Sequence, residues 1–442
     1  MASSLRSLHH LPRCTRQLQR LPSLNASRCL LQQQHQQQQP RWQQQHRFQS
    51  QSKADIHAPD ALNPKLISID ASTLEVEETA DPKELVPHHQ LVFGANFTDH
   101  MLSLEWTAKE GWFPPRITPY GPLSLDPATC VFHYGFECFE GMKAYRGKDG
   151  ELYLFRPDMN MARFNKSSSR LALPMFDGKM LIELIKKFVR LDERFIPNDR
   201  GYSLYLRPTM IGTQRTLGVG PPGSALLYVI ASPVGPYYPT GFKAISLEAT
   251  TYALRAWPGG TGHYKVGGNY APCIVPQMKA AEKGLHQNLW LFEDIDPETG
   301  KPEQFATEVG TMNLFAAILN KQGQKELVTA PLDGTILQGV TRDSILTLAR
   351  ERLASEGWIV NERRFHMREL DEAANEGRLL EVFGSGTAAV VSPVRAISWD
   401  GKMIECGLPA NEEAGPVAQR MKDWIEGIQY GDEPGHPWSV KV

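Results

Sequence analysis

Arg255-Ala-Trp-Pro-Gly-Gly-Thr-Gly-His-Tyr-Lys265-Val-Gly-Gly-Asn-Tyr270-Ala-Pro272 sets one lysine among glycines at 259, 260, 262, 267 and 268. Glycine has no Cβ and reaches backbone angles closed to other residues, so a planar ligand can approach the main chain closely there. A lysine amine in that setting can hold an aldehyde. Other readings stay open on these residues alone. Glycine-rich stretches are usually loops, a single Gly-x-Gly is weak evidence for a dinucleotide, and Lys265 is not followed by the Ser or Thr that a phosphate loop demands.

Two segments downstream carry related signals. Ala306-Thr-Glu308-Val-Gly-Thr311-Met-Asn313 follows a predicted strand. It reads either as a turn with a solvated glutamate or as a carboxylate set against a pyridine nitrogen, where its charge keeps the ring protonated and electron-withdrawing. Glu381-Val-Phe-Gly-Ser-Gly-Thr387-Ala388 offers small residues and exposed amides that suit an anion nest, although any short Gly/Ser turn looks similar.

Around these segments, β-rich runs alternate with helical patterns from about Pro82 onward, which is the pattern of an α/β or α+β protein. Strands are predicted over 151–155, 225–232, 244–250, 289–292 and 380–383. Helices are predicted over 160–171, 179–195, 341–356 and 412–429. Pro233-Val-Gly-Pro-Tyr-Tyr-Pro-Thr-Gly241 concentrates three prolines and two glycines, so a domain junction is expected there. The division is then a segment 55–81, a smaller domain 82–232, a loop 233–243 and a larger domain 244–442. A chain of 442 residues accommodates two domains.

The N-terminus differs from the rest. Residues 1–54 hold seven Arg, one Lys and no Asp or Glu, and Leu5, Leu8, Leu11 and Leu18 interleave with Arg6, Arg13, Arg16 and Arg20. That pattern predicts a cleavable mitochondrial presequence directing the protein to the matrix. A basic disordered tail or a nucleic-acid arm are the weaker readings. Residues 32–51 are dominated by glutamine, and disorder is expected there. Removing the eight basic residues of 1–54 from the chain's 47 leaves 39 against 49 acidic residues, a formal charge of −10, which argues against nucleic acid as a partner. The longest clean apolar run, Ala225 to Ala231, is far short of the ~20 residues of a membrane-spanning helix. Six scattered cysteines, with no Cys-x-x-Cys and no His-Glu-x-x-His, predict neither a disulfide framework nor a structural metal.

Taken together the segments resemble the branched-chain aminotransferases among the class IV, D-alanine-aminotransferase-like pyridoxal-phosphate enzymes. The resemblance runs from about Phe93 to Tyr430. It also rests on Phe93-Gly-Ala-Asn-Phe-Thr-Asp-His-Met101, His133-Tyr-Gly, Phe139-Glu-Gly-Met-Lys-Ala-Tyr-Arg146, Phe155-Arg-Pro, Asn160-Met-Ala-Arg163, Leu204-Tyr-Leu-Arg-Pro208, Leu337-Gln-Gly-Val-Thr-Arg342 and Ile428-Gln-Tyr-Gly431.

The resemblance implies a two-domain fold with pyridoxal 5'-phosphate at the domain interface, held by Lys265 as a Schiff base. It implies that Tyr270 hydrogen-bonds the cofactor's phenolic oxygen and that Glu308 partners the pyridine nitrogen. Arg163 corresponds to the phosphate-binding arginine, assisted by Thr387 and the amides of Val340 and Thr341. A dianionic phosphate suits a guanidinium fork and amide donors. Phe93, Tyr134, Tyr205, Tyr237, Thr311 and Ala388 are implied in the substrate pocket, with Arg207 meeting the distal carboxylate of glutamate. The implied reaction is reversible transamination of Leu, Ile and Val with 2-oxoglutarate by a homodimer. Animal members carry a Cys-x-x-Cys where this chain has Ala389-Val-Val-Ser392, so thiol regulation is not expected at that point. The alternatives are a lyase of the same fold, a nicotinamide dehydrogenase, for which an early strand running through Gly-x-Gly-x-x-Gly into a helix with a following acidic residue is not found, and a non-catalytic binding protein.

Overall fold

The computed structural model describes residues 68–236 and 242–442. The expected presequence, the glutamine-rich segment and Tyr237 lie outside the described residues. In chain order the first strands are β1 (Glu75–Val76), β2 (His100–Thr107), β3 (Gly111–Trp112), β4 (Arg116–Pro119), β5 (Glu137–Phe139), β6 (Met142–Arg146), β7 (Leu152–Phe155), β8 (Ser203–Gly212) and β9 (Ser224–Val234). There follow β10 (Ile245–Thr250), β11 (Gln287–Ile295), β12 (Pro302–Val309), β13 (Met312–Leu319), β14 (Lys325–Thr329), β15 (Ile359–Glu362), β16 (Leu379–Gly386), β17 (Val390–Trp399), β18 (Lys402–Glu405) and β19 (Ser439–Lys441). The helices are α1 (Cys130–Tyr134), α2 (Pro157–Arg170), α3 (Gly178–Leu191), α4 (Ile274–Glu282), α5 (Val340–Arg352), α6 (Met367–Asn375) and α7 (Pro416–Gln429).

The strands form two sheets. The first runs β1-β4-β2-β9-β8-β6-β7-β19, with β3 beside β2 and β5 beside β8. The second runs β12-β11-β10-β17-β16-β13-β14-β15, and β12 also pairs with β13. That extra pairing closes six strands, β10 to β13 with β16 and β17, into a ring. Apolar side chains from those strands, among them Leu247, Leu289, Leu314 and Val394, make one core cluster together with Leu370 of α6. A second cluster joins α2 and α3 to the first sheet through Phe164, Leu184 and Phe188. A third unites Tyr145 and Phe155 of the first sheet with Phe315, Phe383, α5 and α7. The two sheets are thus knitted by a shared core, and the C-terminal β19 returns to the first sheet beside β7.

Local chemistry explains where elements stop. The helix expected over 179–195 ends at Leu191, because the buried Asp192 carboxylate turns to accept from the His100 backbone N–H at 3.0 Å and lies 2.7 Å from His100 Nδ1. The helix expected from 412 begins at Pro416, where proline's missing N–H costs nothing. The Glu381 carboxylate accepts from the N–H groups of Val417 and Ala418 at 2.7 and 2.8 Å and so caps α7. The helix expected over 341–356 ends at Arg352 and gives way to a 3-10 turn closed by Gly357 at φ +77°. Glu308 belongs to β12 itself, and Gly310 at φ +54° makes the tight turn into β13.

Among the described residues no helix is long and apolar enough to cross a membrane, and no group of three or more His, Cys, Asp or Glu could hold a metal ion.

Candidate functional site

A cavity of about 450 Å³ opens between the two sheets, within the size range of small-molecule pockets. Phe139, Arg163, Tyr205 and Arg207 line it from the first sheet and α2. Glu308, Thr311, Asn313 and Ser385 line it from the closed ring, and Gly339, Val340 and Thr341 from the start of α5. Lys265 also faces it, and is the only lysine among the described residues on its wall.

The glycine-rich stretch is held against β5, since the Phe139 N–H donates to the Lys265 carbonyl at 3.1 Å and Cys138 bridges Val266. The Lys265 N–H donates to Ser167 Oγ at 2.9 Å. With its backbone fixed on both sides, Lys265 extends Nζ to the Tyr270 hydroxyl at 2.9 Å, 4.6 Å from the Phe139 ring centre. Gly267 lets Glu137 approach closely, since a Cβ on it would displace the Glu137 carboxylate. Burial pushes that Glu137 carboxyl above its ordinary value, against the pull of the Gly267 N–H, Arg207 and Lys265.

Glu308 is buried at one end. Its Oε1 accepts from Asn313 Nδ2 at 3.0 Å and from the Leu337 N–H at 3.1 Å. Its Oε2 sits against the Arg255 guanidinium in an ion pair, yet receives no well-directed hydrogen bond. Burial raises the Glu308 carboxyl above its ordinary value, and Arg255 and the Leu337 N–H oppose that. A cationic ring nitrogen brought to Oε2 would supply the missing donor and favour the charged carboxylate.

At the other end, Val340 and Thr341 open the 13-residue α5, whose first-turn N–H groups have no partner within the helix. Gly339 lets Asn313 approach, because a Cβ there would collide with Asn313 Oδ1. Arg163 differs from the expectation of a fork aimed at phosphate. Its Nε and Nη2 both donate to Glu140 at 2.7 Å, and Nη1 donates to the Gln338 carbonyl at 3.0 Å. A buried guanidinium needs a counter-charge, and Glu140, fully buried and also bonded to Asn160 Nδ2 at 2.8 Å, provides it. Two of the five guanidinium N–H donors remain for an anion.

On the substrate side, Phe93 meets Tyr205 edge-on at 4.9 Å, and Arg207 Nη2 lies 3.3 Å from the Tyr205 hydroxyl. The Arg207 guanidinium lies over the Phe139 ring at 4.7 Å, and its Nε has no partner. Thr387 and Ala388 line the same space, and the Ala388 carbonyl accepts from the buried Lys143 Nζ at 2.8 Å.

Twelve of the residues singled out from sequence therefore share one cavity: Phe93, Arg163, Tyr205, Arg207, Lys265, Tyr270, Glu308, Thr311, Val340, Thr341, Thr387 and Ala388. Tyr134 does not reach it. It ends the short α1, where Gly135 at φ +63° turns the chain, and its exposed hydroxyl donates to the Leu217 carbonyl. Glu140, Arg255, Asn313 and Ser385 have no role assigned from sequence. All four lie inside quoted motifs, and for the charged ones a buried carboxylate opposite a buried arginine is the available signal.

The donors fit pyridoxal 5'-phosphate. The cavity has an amine with an adjacent phenol, a buried carboxylate oxygen lacking a hydrogen bond, an unpartnered buried Ser385 hydroxyl, and a helix N-terminus beside an arginine.

The profile of the family described as "Amino-transferase class IV" matches residues 137–397. The chain is 56% identical over 375 residues to the mitochondrial branched-chain-amino-acid aminotransferase of Saccharomyces cerevisiae, covering 85% of this chain and 93% of that one. It is 55% identical to the cytosolic form of the same yeast, covering 85% and 98%. Among solved structures it is similar to the Escherichia coli branched-chain amino acid aminotransferase, with TM-score 0.59, 26% identity, and 76% and 98% of the two chains covered. It is similar to a second branched-chain amino acid aminotransferase, solved with pyridoxamine 5'-phosphate, with TM-score 0.57, 27% identity, and 76% and 97% covered. With more than half the chain matched by the class IV profile, and with relatives above 50% identity across most of its length, this chain belongs to the branched-chain-amino-acid aminotransferases of the class IV aminotransferase family.

Proposed function

We propose that this protein binds pyridoxal 5'-phosphate through Lys265 and moves the amino group of Leu, Ile or Val reversibly to 2-oxoglutarate. The products are branched-chain 2-oxo acids and L-glutamate, in branched-chain amino-acid biosynthesis and catabolism. The observation that carries the reading is the amine of Lys265, 2.9 Å from the Tyr270 hydroxyl, in one cavity with a buried carboxylate and a helix N-terminus. When bound, the cofactor supplies a ring that withdraws electrons from the substrate's Cα.

This chain's residues do the rest. Lys265 anchors the cofactor and, once released, carries a proton from and to the substrate Cα. Tyr270 orients that amine. Glu308 holds the ring nitrogen protonated, and Arg255 and Asn313 hold Glu308. Arg163, Thr387 and the amides of Val340 and Thr341 bind the phosphate. Phe93, Phe139, Tyr205 and Ala388 give the apolar surface for a branched side chain, and Arg207 meets the distal carboxylate of glutamate. A division into two domains near 233–243 is supported by β1 to β9 lying in the first sheet and β10 to β18 in the second, with the C-terminal β19 crossing back to the first.

A homodimer is supported by the exposed apolar tip of Phe132, Tyr134, Leu217 and Val219. A substrate role for Tyr134 then requires the partner copy. Mitochondrial import is supported by the acid-free 1–54 and by relatives named mitochondrial.

The test is a substrate panel with purified protein, pyridoxal 5'-phosphate and 2-oxoglutarate. Because one methylene discriminates by only about 1 to 3 kcal/mol in an apolar pocket, Leu, Ile and Val should all give glutamate. Comparable activity on D-alanine or lysine would sink the specificity, and release of pyruvate without an amino acceptor would favour a lyase.

A further inference from the structure

Helices α2 and α5 bring Arg163 and the amides of Val340 and Thr341 to the same end of the cavity, and something must keep the two helices in register. One tie is the Arg163 bond to the Gln338 carbonyl, immediately before Gly339. The second is Arg156, which no step of the proposed reaction uses. Arg156 stands just ahead of α2 with φ 47° and ψ 48°, a region that non-glycine residues seldom adopt. Its N–H donates to the Trp438 carbonyl at 3.0 Å, and its guanidinium lies 4.3 Å from the Trp438 ring centre. The side chain is 12% exposed, and its donors point across to α5.

Two contacts follow there. Nη2 pairs with Asp343 Oδ1 at 2.7 Å. Nη1 donates to Ser344 Oγ at 2.7 Å, and the Ser344 hydroxyl donates in turn to the Val340 carbonyl at 2.8 Å. The chain Arg156 to Ser344 to Val340 ends on the first residue of the helix whose free amides face the cavity. Asp343 lies in the first turn of that helix. Left alone, its carboxylate would repel an anion bound at the N-terminus, and the Arg156 guanidinium cancels that charge. The strained backbone supports the same picture, since a residue is held in such a conformation only where its surroundings over-determine it.

We propose that Arg156 is a positioning residue for the phosphate end of the cavity: it fixes the first turn of α5 against α2 and neutralises Asp343 beside the anion. The inference rests on reading that end as a phosphate site. Pyridoxal, which lacks the phosphate but shares the ring and aldehyde, separates this role from general stabilisation.

Full-length protein freed of cofactor is titrated with pyridoxal 5'-phosphate and, in parallel, with pyridoxal, following absorbance and intrinsic fluorescence. For Arg156→Met the dissociation constant of pyridoxal 5'-phosphate should rise about tenfold or more, while that of pyridoxal moves by less than about twofold. Ser344→Ala, which keeps the ion pair and breaks only the relay, should show a smaller loss of the same selectivity and serves if Arg156→Met does not fold. Arg156→Lys should recover part of the loss through Asp343. Parallel weakening of both ligands, or no change in either, would overturn the proposal. An unmutated protein that binds the phosphorylated compound no more tightly than pyridoxal would instead remove the phosphate-site reading beneath it.

Discussion

Replacing Glu308 by glutamine keeps the shape of the side chain and removes its charge, which isolates what the buried ion pair contributes. The amide oxygen can still accept from Asn313 Nδ2 and the Leu337 N–H, so those two bonds survive. The contact with Arg255 does not. Arg255 and Glu308 are only 5% and 2% exposed at their side chains, so water cannot take over the guanidinium, and its remaining acceptor is the Gly262 carbonyl at 3.2 Å. Stranding one partner of a buried pair costs about 3 to 5 kcal/mol. Glu308→Gln should therefore destabilise the cofactor-free protein by about 3 kcal/mol. Arg255→Met in the same chain should restore most of that, with a coupling of about 2 to 3 kcal/mol in the double-mutant cycle. Urea denaturation at pH 8 measures both. A single-variant loss below about 1 kcal/mol, or a double variant as unstable as the sum of the two, would refute the reasoning.

Gly339→Ala should push the Asn313 amide away from its place and weaken its bonds to Glu308 and to the Leu337 carbonyl. A loss of about 1 to 3 kcal/mol in cofactor-free stability is expected, together with weaker cofactor binding by absorbance titration. Wild-type values for both would show that the close approach does not matter. Lys143 gives a pH signature, because burial lowers its ammonium to about 8 against an ordinary 10.5, with Glu426 opposing. Between those two values the unfolded chain binds more protons than the folded one, so stability rises with pH across that window, by up to about 3 kcal/mol. Lys143→Met should flatten the rise in urea midpoints between pH 8 and 10.5. Identical pH profiles for the two proteins would contradict it.

The parts of the site legible in sequence are those that lie close together along the chain. Lys265 and Tyr270 are five residues apart in one glycine-rich stretch, and the structure joins them directly. The helix expected from 341 starts one residue earlier, at Val340 after Gly339, while the phosphate role of the Val340 and Thr341 amides comes from the resemblance alone. The illegible parts are pairings between distant segments. Sequence resemblance makes Arg163 the phosphate-binding arginine, but burial demands a counter-charge, and Glu140, between β5 and β6, takes two of its donors. Arg255 stands in the opening motif with no assigned role, because its function emerges only when β12 brings Glu308 beside it. The ring closed by β12 and β13 is invisible for the same reason: period-2 or continuous apolar patterns identify strands and say nothing of their neighbours. Strand β8 is buried along nearly its whole length, so it lacks the alternation that marks a half-exposed strand. Tyr134 is expected at the pocket from its motif alone, and the motif carries no information about which side of α1 the ring leaves.

That Lys265 performs amino transfer in this cavity is tested most directly by glutamate formation from leucine and 2-oxoglutarate, using full-length protein with pyridoxal 5'-phosphate. The assay should be run beside Lys265→Ala. Steady glutamate production is expected from the unmutated protein and a fall of at least about 10³-fold in the variant, since both the anchor and the proton carrier are lost. Equal rates in the two proteins, or cofactor binding without any glutamate from the unmutated one, would contradict it.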